Sequence, residues 1–384
     1  MEKSIKYIGF YDIGEYENEK RNFSLAAKNK IDYISSAIVK AGYDVEIISP
    51  SWTGNKKGKY KKRTLRVSDG VSLTACPTFG ANNKVTKLLR IAFSWLWLFL
   101  YLIFNVKKNE KVLVYHSLWL AYPVYLAKVI KRFNIILEIE EEYSVVIKQP
   151  VYFEWIEKRI IRLAEMHIYC NDLMIELYER LAKPYVVIYG IYTAENNYEI
   201  DCKNSEKINI VYAGIIDTVK AGAFNALHIA EYLTEKYQLN IIGFGNPNDI
   251  ELLKNEIKKV NVNNECQTFY DGLKNGNNYI EYLKKMDVGL STQTAHGEYL
   301  KFSFPSKILS YLSIGLRVVS SKIDCVERSQ IGSLIYYYDI DTPVEISDTI
   351  KRINFNEPYD SRATLKKLDE QFTRDIKKLL EEHK

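Results

Sequence analysis

The strongest constraint on the fold of this chain is the regular alternation of short apolar runs with helix-length patterns. The runs Ile5–Tyr11, Val45–Ser49 and Val112–Tyr115 are typical of buried strands. Between the first two, Ser24–Lys40 places its apolar residues on one helical stripe and stops before Gly42. This rhythm predicts an α/β fold, in which helices connect the strands of a parallel sheet.

The rhythm occurs twice along the chain. A length of 384 residues is also more than one hydrophobic core usually serves. Further strands are predicted at Ile135–Ile139, His167–Cys170, Tyr185–Tyr189, Ile208–Tyr212, Leu239–Ile242, Val288–Leu290 and Leu316–Ser320, and further helices at Ala221–Glu235, Asp249–Lys259 and Pro305–Ile314. We predict an N-terminal domain over 1–195, a polar linker over 196–207 and a second domain over 208–355. A charged helix is predicted over 356–384. It can pack against either half, and packing back on the N-terminal domain is the arrangement we predict. Two such domains place a crevice between the carboxyl ends of two sheets, where ligands usually bind.

Composition excludes several classes of protein. Apolar residues make up 47% and charged residues 26%, which is globular composition. The net charge of +5 is too small to indicate nucleic acid as a partner. Five cysteines without a close pair predict neither a disulfide framework nor a Cys-x-x-Cys site. The start of the chain carries an acid and leads directly into a strand pattern, unlike a signal peptide, so we expect a cytoplasmic protein.

Two segments of the first domain raise the question of membrane contact. Ile91–Phe104 contains a single polar residue, Ser94, but its fourteen residues fall short of the roughly 20 that a span needs. Cations flank it, and Lys56–Arg66 holds seven more without an acid. A core helix and a solvated loop are the ordinary alternatives. Because both segments occur together, we predict peripheral contact with an anionic membrane surface, on the inner face of the plasma membrane.

The sharpest local signal lies between Tyr299 and Gly315. Pro305 suits the first helical position and Gly315 the helix stop, so Ser306 and Lys307 lie in the first turn. A lysine there opposes the positive end of the helix dipole, at a cost of roughly 0.3–1 kcal/mol, unless an anion lies nearby. Free N–H groups, a hydroxyl and an ammonium together suit a diphosphate. The alternative is that Lys307 points into solvent.

Two glycine turns precede that signal in the second domain. Gly214 ends a strand, and Lys220 follows where it can face the crevice and bind the same phosphates. Gly243 and Gly245 end the next strand, where backbone can approach a base or ribose. The dinucleotide fingerprint needs a third glycine where Asn248 stands, which disfavours a nicotinamide dehydrogenase.

Polar residues also follow strands of the first domain. His116, Glu138 and Glu140 lie at strand ends, and Arg21 and Asn22 follow the loop of Gly14. A histidine or carboxylate there can orient an acceptor hydroxyl or accept its proton. Helix caps and solvated acids are the alternative. The pair Asp339 and Asp341 fits the capped start of a helix, and the histidines lack metal-ligand spacing, so neither a metal nor a cofactor is predicted.

The order of these motifs resembles the carboxyl half of GT-B glycosyltransferases, especially the large retaining family that includes many capsule and O-antigen enzymes. The resemblance implies two Rossmann-like domains that face each other across a cleft. Tyr299, Lys301 and Phe302, with Pro305 and Lys307, are also similar to bacterial galactofuranosyltransferases and glucosyltransferases that use UDP-sugars. These residues are therefore expected to bind the donor.

Two positions depart from the large family. Ile215 stands where that family has an arginine, and Ser310 stands where it has a glutamate that grips the ribose. Lys220 and Lys307 would then neutralise the diphosphate. Glu298 is a candidate to replace the glutamate.

Together these observations predict a metal-independent glycosyltransferase. It would move a sugar from a nucleotide-sugar donor to a growing, polyprenyl-linked cell-surface glycan of the capsule or O-antigen type. A UDP-sugar is the first candidate for the donor. Lys307, Lys220 and Glu140 are the candidate catalytic residues. The alternatives are a UDP-sugar epimerase on the same frame and a non-catalytic partner subunit. Sequence leaves the sugar, the linkage and the stereochemical outcome open.

Overall fold

The computed structural model describes residues 3–146, 148–194, 206–218, 221–292 and 304–381. The chain divides into two compact units. The first unit comprises Met1–Ile191 and Glu370–Lys384, and the second comprises Tyr192–Asp369. Each unit is built on its own sheet.

The described part of the first unit forms a sheet of eight strands and a small separate ribbon of two. The strands are β1 (Ser4–Ile8), β2 (Asp44–Ser49), β3 (Lys59–Tyr60), β4 (Arg63–Ser68), β5 (Val71–Ala75), β6 (Thr78–Phe79), β7 (Lys111–Tyr115), β8 (Asn134–Ile139), β9 (Met166–Tyr169) and β10 (Tyr185–Val187). The helices are α1 (Leu25–Lys40), α2 (Lys84–Asn105), α3 (Leu118–Lys131), α4 (Tyr143–Val146), α5 (Val151–Leu163) and α6 (Leu173–Tyr178). The order across the sheet is β10-β9-β8-β7-β1-β2-β5-β4, and β3 pairs with β6.

All neighbours in this sheet are parallel except β4, which runs antiparallel to β5 at the edge. The six strands predicted for this half are present, with ends shifted by one to three residues. The helix predicted at Ser24–Lys40 is α1, and its Ser24 side chain accepts a hydrogen bond from the N–H of Ala27. Gly42, its predicted stop, has a φ of +89°.

The basic run at Lys56–Arg66 does not form the solvated loop that was the ordinary alternative to membrane contact. It contributes β3 and most of β4, an edge strand in which side chains alternate between half-buried and exposed. Charged residues on an edge strand discourage pairing with other chains, so they are tolerated there. Sequence analysis missed these strands because the charges hide the alternation.

The described residues of the second unit form a wholly parallel sheet of six strands. The strands are β11 (Ile208–Ile216), β12 (Tyr237–Gly245), β13 (Gln267–Tyr270), β14 (Val288–Ser291), β15 (Arg317–Ser321) and β16 (Ile335–Tyr338). The helices are α7 (Gly222–His228), α8 (Pro247–Asn263), α9 (Asn277–Leu283), α10 (Ser306–Ile314), α11 (Asp324–Glu327), α12 (Pro343–Lys351) and α13 (Ser361–Glu381). The order β13-β12-β11-β14-β15-β16 is the doubly wound order 3-2-1-4-5-6.

The strands β11 and β12 run past the ends predicted for them. Gly214 pairs with Gly243 in the parallel register, and Gly243 has a φ of +149°. A Cβ at Gly243 would lie 1.7 Å from the carbonyl oxygen of Gly214. The two strands therefore stay paired to their carboxyl ends because Gly243 carries no side chain. Sequence analysis took the same glycines as the ends of the strands.

Two further differences concern helices. The helix predicted at Ala221–Glu235 ends at His228 and continues as a 3-10 turn over Ile229–Tyr232. The predicted C-terminal helix is α13, which begins among second-unit residues and ends among those of the first. Within the first unit, the ring of Phe372 stacks on that of Tyr33 with centroids 5.8 Å apart.

Candidate functional site

The second sheet has a switch point between β11 and β14. The chain leaves β11 towards β12 on one side and leaves β14 towards β15 on the other. In doubly wound sheets, ligands bind in the crevice that this divergence opens beyond the carboxyl ends of the strands. Gly214 near the end of β11, Thr292 directly after β14 and the amino end of α10 belong to this region.

The side chain of Lys307 lies over the end of β11. Its Nζ is 3.2 Å from the Tyr212 hydroxyl and 4.4 Å from the centroid of the Tyr212 ring. A Cβ built on Gly214 would be 2.2 Å from the same Nζ. The ammonium is therefore half-buried against glycine backbone and an aromatic face, and any side chain at position 214 would displace it.

The helix that carries Lys307 begins one residue later than predicted. Pro305 has a φ of −68° and a ψ of 95°, so it is the extended residue before the helix, and Ser306 is the first helical residue. Proline has no side-chain oxygen, and within the described residues no side chain caps this helix end. The N–H of Ile308 donates to the carbonyl of Pro305, and the exposed Ser306 places its hydroxyl at the start of α10, where a bound anion would lie.

Tyr311 fixes α10 against both strands of the switch point. Its buried hydroxyl accepts a hydrogen bond of 2.9 Å from the N–H of Ala213 in β11 and donates one of 3.3 Å to the carbonyl of Leu290 in β14. Its ring fills the space that a side chain at Gly289 would need. The position of the Lys307 ammonium therefore follows from the core of the sheet.

The neighbouring helix end is held in a similar way. The Thr292 hydroxyl donates a hydrogen bond of 2.9 Å to the carbonyl of Gly222, the first residue of α7. A Cβ on Gly222 would lie 2.5 Å from the Tyr212 hydroxyl. Burial, with a smaller contribution from Asp217, raises the pKa of Tyr212 to about 12, so this phenol stays neutral beside Lys307. Sequence analysis overlooked Tyr212, Thr292 and Tyr311, although each lies in or directly after an element that it predicted.

An exposed aromatic ring marks the end of β12. Phe244 lies between Gly243 and Gly245 and is 54% exposed, although the rest of β12 is mostly buried. Leu273 is also exposed at the end of the adjacent β13, where the carbonyl of Gly272 accepts from the N–H of Gly243. An exposed aromatic side chain between two glycines offers a flat apolar face on which a planar base can stack. The Gly-x-Gly pattern was the available signal, and the residue inside it was missed.

The two positions that depart from the large retaining family have different surroundings. Ile215 is exposed near the end of β11. The Ser310 hydroxyl interacts with the Tyr279 side chain and contacts the carbonyl of Ser306 at 3.4 Å. Burial raises the pKa of Tyr279 to about 12, so Ser310 faces a neutral phenol.

Several predicted donor residues lie outside the described residues. These are Lys220, Glu298, Tyr299, Lys301 and Phe302. Of the predicted donor set, the structure describes Gly214, Gly243, Gly245, Pro305, Ser306 and Lys307. The contacts above bring Gly214, Gly243 and Lys307 together at the carboxyl ends of β11 and β12.

The first unit contains a pair of carboxyl groups near its own switch point, one buried and one partly exposed. Glu138 in β8 is fully buried and accepts a hydrogen bond from the Tyr7 hydroxyl of β1. Burial and the neighbouring Glu140 raise the pKa of Glu138 to about 8, against lowering by Lys30. Lys30 is ion-paired with Glu140 and lies 3.4 Å from the carbonyl oxygen of Ile188. The carboxylate of Glu140 is therefore already neutralised by an internal cation.

His116 is more enclosed than its predicted role at the acceptor requires. Its Nδ1 lies 3.0 Å from the carbonyl oxygen of Glu141, and its Nε2 lies 3.4 Å from Glu157. Burial lowers the pKa of His116 to about 4, so the ring is neutral near neutral pH. Glu157 accepts hydrogen bonds from the N–H groups of Tyr143 and Ser144. This histidine thus helps to hold the loop after β8.

The remaining predicted acceptor residues lie in the loop after β1. The Arg21 guanidinium is buried, pairs with Glu19 at 2.6 Å and donates to the carbonyl oxygens of Ser51 and Cys76. Asn22 is exposed, and its N–H donates to the carbonyl of Trp52. Gly14 has a φ of +75° and borders a small surface pocket. Arg21 therefore cross-links the loop to the sheet, while Asn22 and Gly14 face its surface.

Metal-ligating side chains are dispersed in this fold. Over the described ranges, no group of three or more His, Cys, Asp or Glu residues could hold a metal ion. The four cysteines that the structure describes are buried, and none of them forms a disulfide.

Comparison with known proteins gives a structural likeness and no sequence match. No family model matches the chain, and no curated protein matches it. Among solved structures, the chain is similar to a trehalose-6-phosphate protein from E. coli bound with UDP-2-fluoro glucose, at 11% identity and a TM-score of 0.65 over 98% of each chain. It is also similar to the alpha,alpha-trehalose 6-phosphate synthase of Burkholderia multivorans, at 11% identity and a TM-score of 0.60 over 97% of this chain and 93% of that one.

A third likeness is to the N-terminal domain of the Candida albicans trehalose-6-phosphate phosphatase. The identity is 11% and the TM-score is 0.63, over 99% of this chain and 96% of that one. At such identities the comparisons establish the fold. The GT-B fold class, with two Rossmann-like α/β domains built on parallel sheets, is therefore confirmed.

Proposed function

We propose that this protein is a glycosyltransferase that takes its sugar from a UDP-sugar, with the donor bound by the second domain (208–355). The observation that carries the proposal is the Lys307 ammonium, held 3.2 Å from Tyr212 and directly over Gly214 at the switch point. A cation at the start of an uncapped helix, on a glycine-lined sheet edge, suits a diphosphate. The E. coli neighbour, which is bound with UDP-2-fluoro glucose, supports uridine as the nucleoside.

The proposed reaction breaks the bond between the anomeric carbon of the sugar and the β-phosphate oxygen. UDP leaves with the bonding electrons, and an acceptor hydroxyl bonds to the anomeric carbon. Lys307, the N–H groups of α10 and Ser306 stabilise the departing diphosphate, and Lys220 adds a second cation, so no divalent metal is required. Glu140 is the proposed base for the acceptor proton, and it would have to exchange its ion pair with Lys30 to act.

The proposed acceptor is a polyprenyl-linked cell-surface glycan of the capsule or O-antigen type, bound by the first domain (1–195). This places the enzyme in the cytoplasm, at the inner face of the plasma membrane. Support comes from the first unit, where α2 exposes apolar side chains such as Leu88 and Phe104. A lipid-linked acceptor is anchored in the membrane, so a domain that contacts the membrane would meet it there.

A soluble sugar phosphate is a second candidate acceptor. The likeness to the Burkholderia xenovorans trehalose-phosphate synthase, solved in complex with glucose-6-phosphate, favours it. That protein is 11% identical to this chain, with a TM-score of 0.59. The two acceptors are separated by incubating the enzyme with UDP-glucose and either glucose-6-phosphate or a polyprenyl-linked glycan. Mass spectrometry then shows which of the two gains a hexose.

Donor chemistry is tested by screening the purified chain against UDP-, GDP- and TDP-sugars and measuring the released nucleotide. We expect UDP release, with slow hydrolysis where no acceptor is present. An isomerised sugar without UDP release would identify an epimerase. Absence of affinity for every donor would identify a non-catalytic subunit and contradict the proposal.

The role of Lys307 is tested by Lys307→Ala. Loss of a charged hydrogen-bonding partner of the diphosphate should weaken UDP binding by roughly 10-fold to 100-fold in calorimetry. Lys258→Ala, which removes an exposed lysine from α8 of the same domain, serves as the matched control. Unchanged affinity in a folded Lys307→Ala protein would overturn the assignment of this site.

A further inference from the structure

The helix α2 leaves much of its apolar surface exposed. By length and composition it is long and apolar enough to cross a bilayer, and only 22% of its most apolar stretch is buried. Large apolar side chains recur on its outer face at helical spacing, among them Leu88, Leu89, Leu96, Leu100 and Phe104. Phe104 is 79% exposed and Leu88 is 68% exposed. Such a stripe signals a binding surface.

The opposite face of α2 is fixed to the domain. Leu98 and Leu102 are buried, and the Tyr101 hydroxyl donates a hydrogen bond of 2.7 Å to Glu46 of β2. Near the start of the helix, Arg90 donates to the carbonyl oxygen of Thr53 at 2.8 Å. A helix held along its length by polar contacts cannot be surrounded by lipid, so α2 lies along a surface and does not span it.

Two further helices extend this surface. The rings of Trp95 in α2 and Tyr122 in α3 lie 5.4 Å apart, and Tyr125 in α3 lies 5.9 Å from Trp155 in α5. Leu126 and Ile130 of α3 and Val151 of α5 are exposed. Three adjacent helices therefore share one outer face of apolar side chains with tryptophan and tyrosine among them. Tryptophan and tyrosine favour the boundary between membrane and water.

Charge identifies the occupant of this face. Residues 47–137 contain sixteen Lys and Arg residues but only two acids, Asp69 and Glu110, although the whole chain has a net charge of only +5. Exposed cations flank α2 at both ends, with Lys84 and Lys87 in its first turns and Lys107 and Lys108 beyond its last. The basic ribbon and edge strand adjoin it, because Lys62 lies over the ring of Tyr101 at 5.5 Å.

We infer that the outer face of α2, α3 and α5 is a docking surface for a bilayer containing anionic phospholipid. The apolar stripe inserts into the interface while the flanking cations contact phosphate headgroups. A second copy of the chain fits less well, because a symmetric contact would bring two basic faces together. The inference extends the membrane location given in the proposed function, and lipid binding can be measured without glycosyl transfer.

The test is co-sedimentation of the full chain with vesicles of phosphatidylcholine alone or mixed with phosphatidylglycerol. We expect binding to the mixed vesicles that weakens with salt. In the double variant Leu88→Gln, Leu96→Gln, binding should fall about tenfold or more because two inserted side chains become polar. The double variant Leu252→Gln, Val262→Gln, on exposed positions of α8, should bind like the wild type.

Charge is tested separately with Lys84→Gln, Lys87→Gln. We expect several-fold weaker binding to the mixed vesicles, whereas Lys258→Gln, Lys259→Gln on α8 should bind normally. Absence of wild-type binding, or equal binding by the face variants, would overturn the inference. So would a lipid-free dimer in sedimentation velocity that Leu88→Gln, Leu96→Gln converts to monomer. UDP release with the same variants is read in parallel, so that a failed donor assignment and a failed docking surface remain distinguishable.

Discussion

At the switch point of the second sheet, the residues nearest the strand ends are glycines with a lysine ammonium above them. The first sheet instead has a pair of carboxyl groups, Glu138 and Glu140, near the same place. Lys307 lies against glycine backbone and a neutral phenol. Glu138 and Glu140 instead receive a phenol and an ion pair from their own domain. The same order of central strands thus serves two electrostatic purposes. We propose that the cation at the end of the second sheet binds an external anion, whereas the first sheet satisfies its charges internally.

The largest effect is expected at the glycine pair of the second sheet. In Gly243→Ala, the new Cβ would lie 1.7 Å from the Gly214 carbonyl oxygen in a backbone conformation that disfavours side chains. We expect this change to lower the free energy of unfolding by about 3 kcal/mol or more in urea titrations.

Gly276→Ala is the matched control for that experiment. Gly276 also has a positive φ, +54°, but no atom lies within 4 Å of its Cβ position. It should cost about 1–3 kcal/mol, the conformational penalty alone, because a ψ of −135° lies outside the left-handed helical region. Equal losses in both variants would show that the close approach of β11 and β12 does not stabilise the fold.

The carboxylate pair of the first sheet should make stability depend on pH. Because burial raises the pKa of Glu138 to about 8, the folded state keeps a proton that the unfolded state releases above its ordinary pKa. This contribution is fully present at low pH and is lost as the pH rises through 8, by an amount on the order of a few kcal/mol.

Glu138→Gln isolates this effect, since its amide stays neutral and can still accept from Tyr7. The buried rings of His116 and His167, whose pKa values burial lowers to about 4, have the opposite slope in both proteins. As the pH rises from mildly acidic to mildly alkaline, the stability of Glu138→Gln should therefore increase relative to that of the wild type. Glu251→Gln, at an exposed position of α8, should follow the wild type. Identical slopes in wild type and Glu138→Gln would argue that Glu138 is ionised in the folded state.

The smallest effect is expected at Phe244, where the open edge of the second sheet offers a flat apolar face. Removing a ring that stacks on a base typically costs about 1–3 kcal/mol, so Phe244→Ala should weaken UDP binding by roughly tenfold without changing stability. Phe269→Ala removes an exposed ring from β13 as the control. If calorimetry gives the same UDP affinity for Phe244→Ala as for wild type, the base lies elsewhere.

Sequence analysis predicted most interior strands of both sheets because parallel strands buried on both faces are continuous apolar runs. The interior strand β5 and the edge strands β4, β13 and β16 were missed. In β4 the charges mask alternation, and β16 is a run of tyrosines, Tyr336–Tyr338, without a clear period.

The candidate site was predictable only in part. Glycines before helix starts and a lysine after a proline are local signals, so Gly214, Gly243 and Lys307 could be found. Whether a polar residue at a strand end faces outward depends on partners far along the chain. Arg21 is buried against Ser51 and Cys76, and no local pattern contains that information.

The hydroxyl of Tyr311 bridges β11 and β14 as an extra peptide group would. It accepts a hydrogen bond from one strand and donates one to the other. Tyr311→Phe would therefore remove both of these hydrogen bonds while keeping the ring in place. Since Lys307 is one helical turn away on the same helix, such a change should reach the phosphate site without touching it. Substitutions of Tyr311 or of the residues that contact its hydroxyl should therefore alter donor affinity, even though no surface residue has changed.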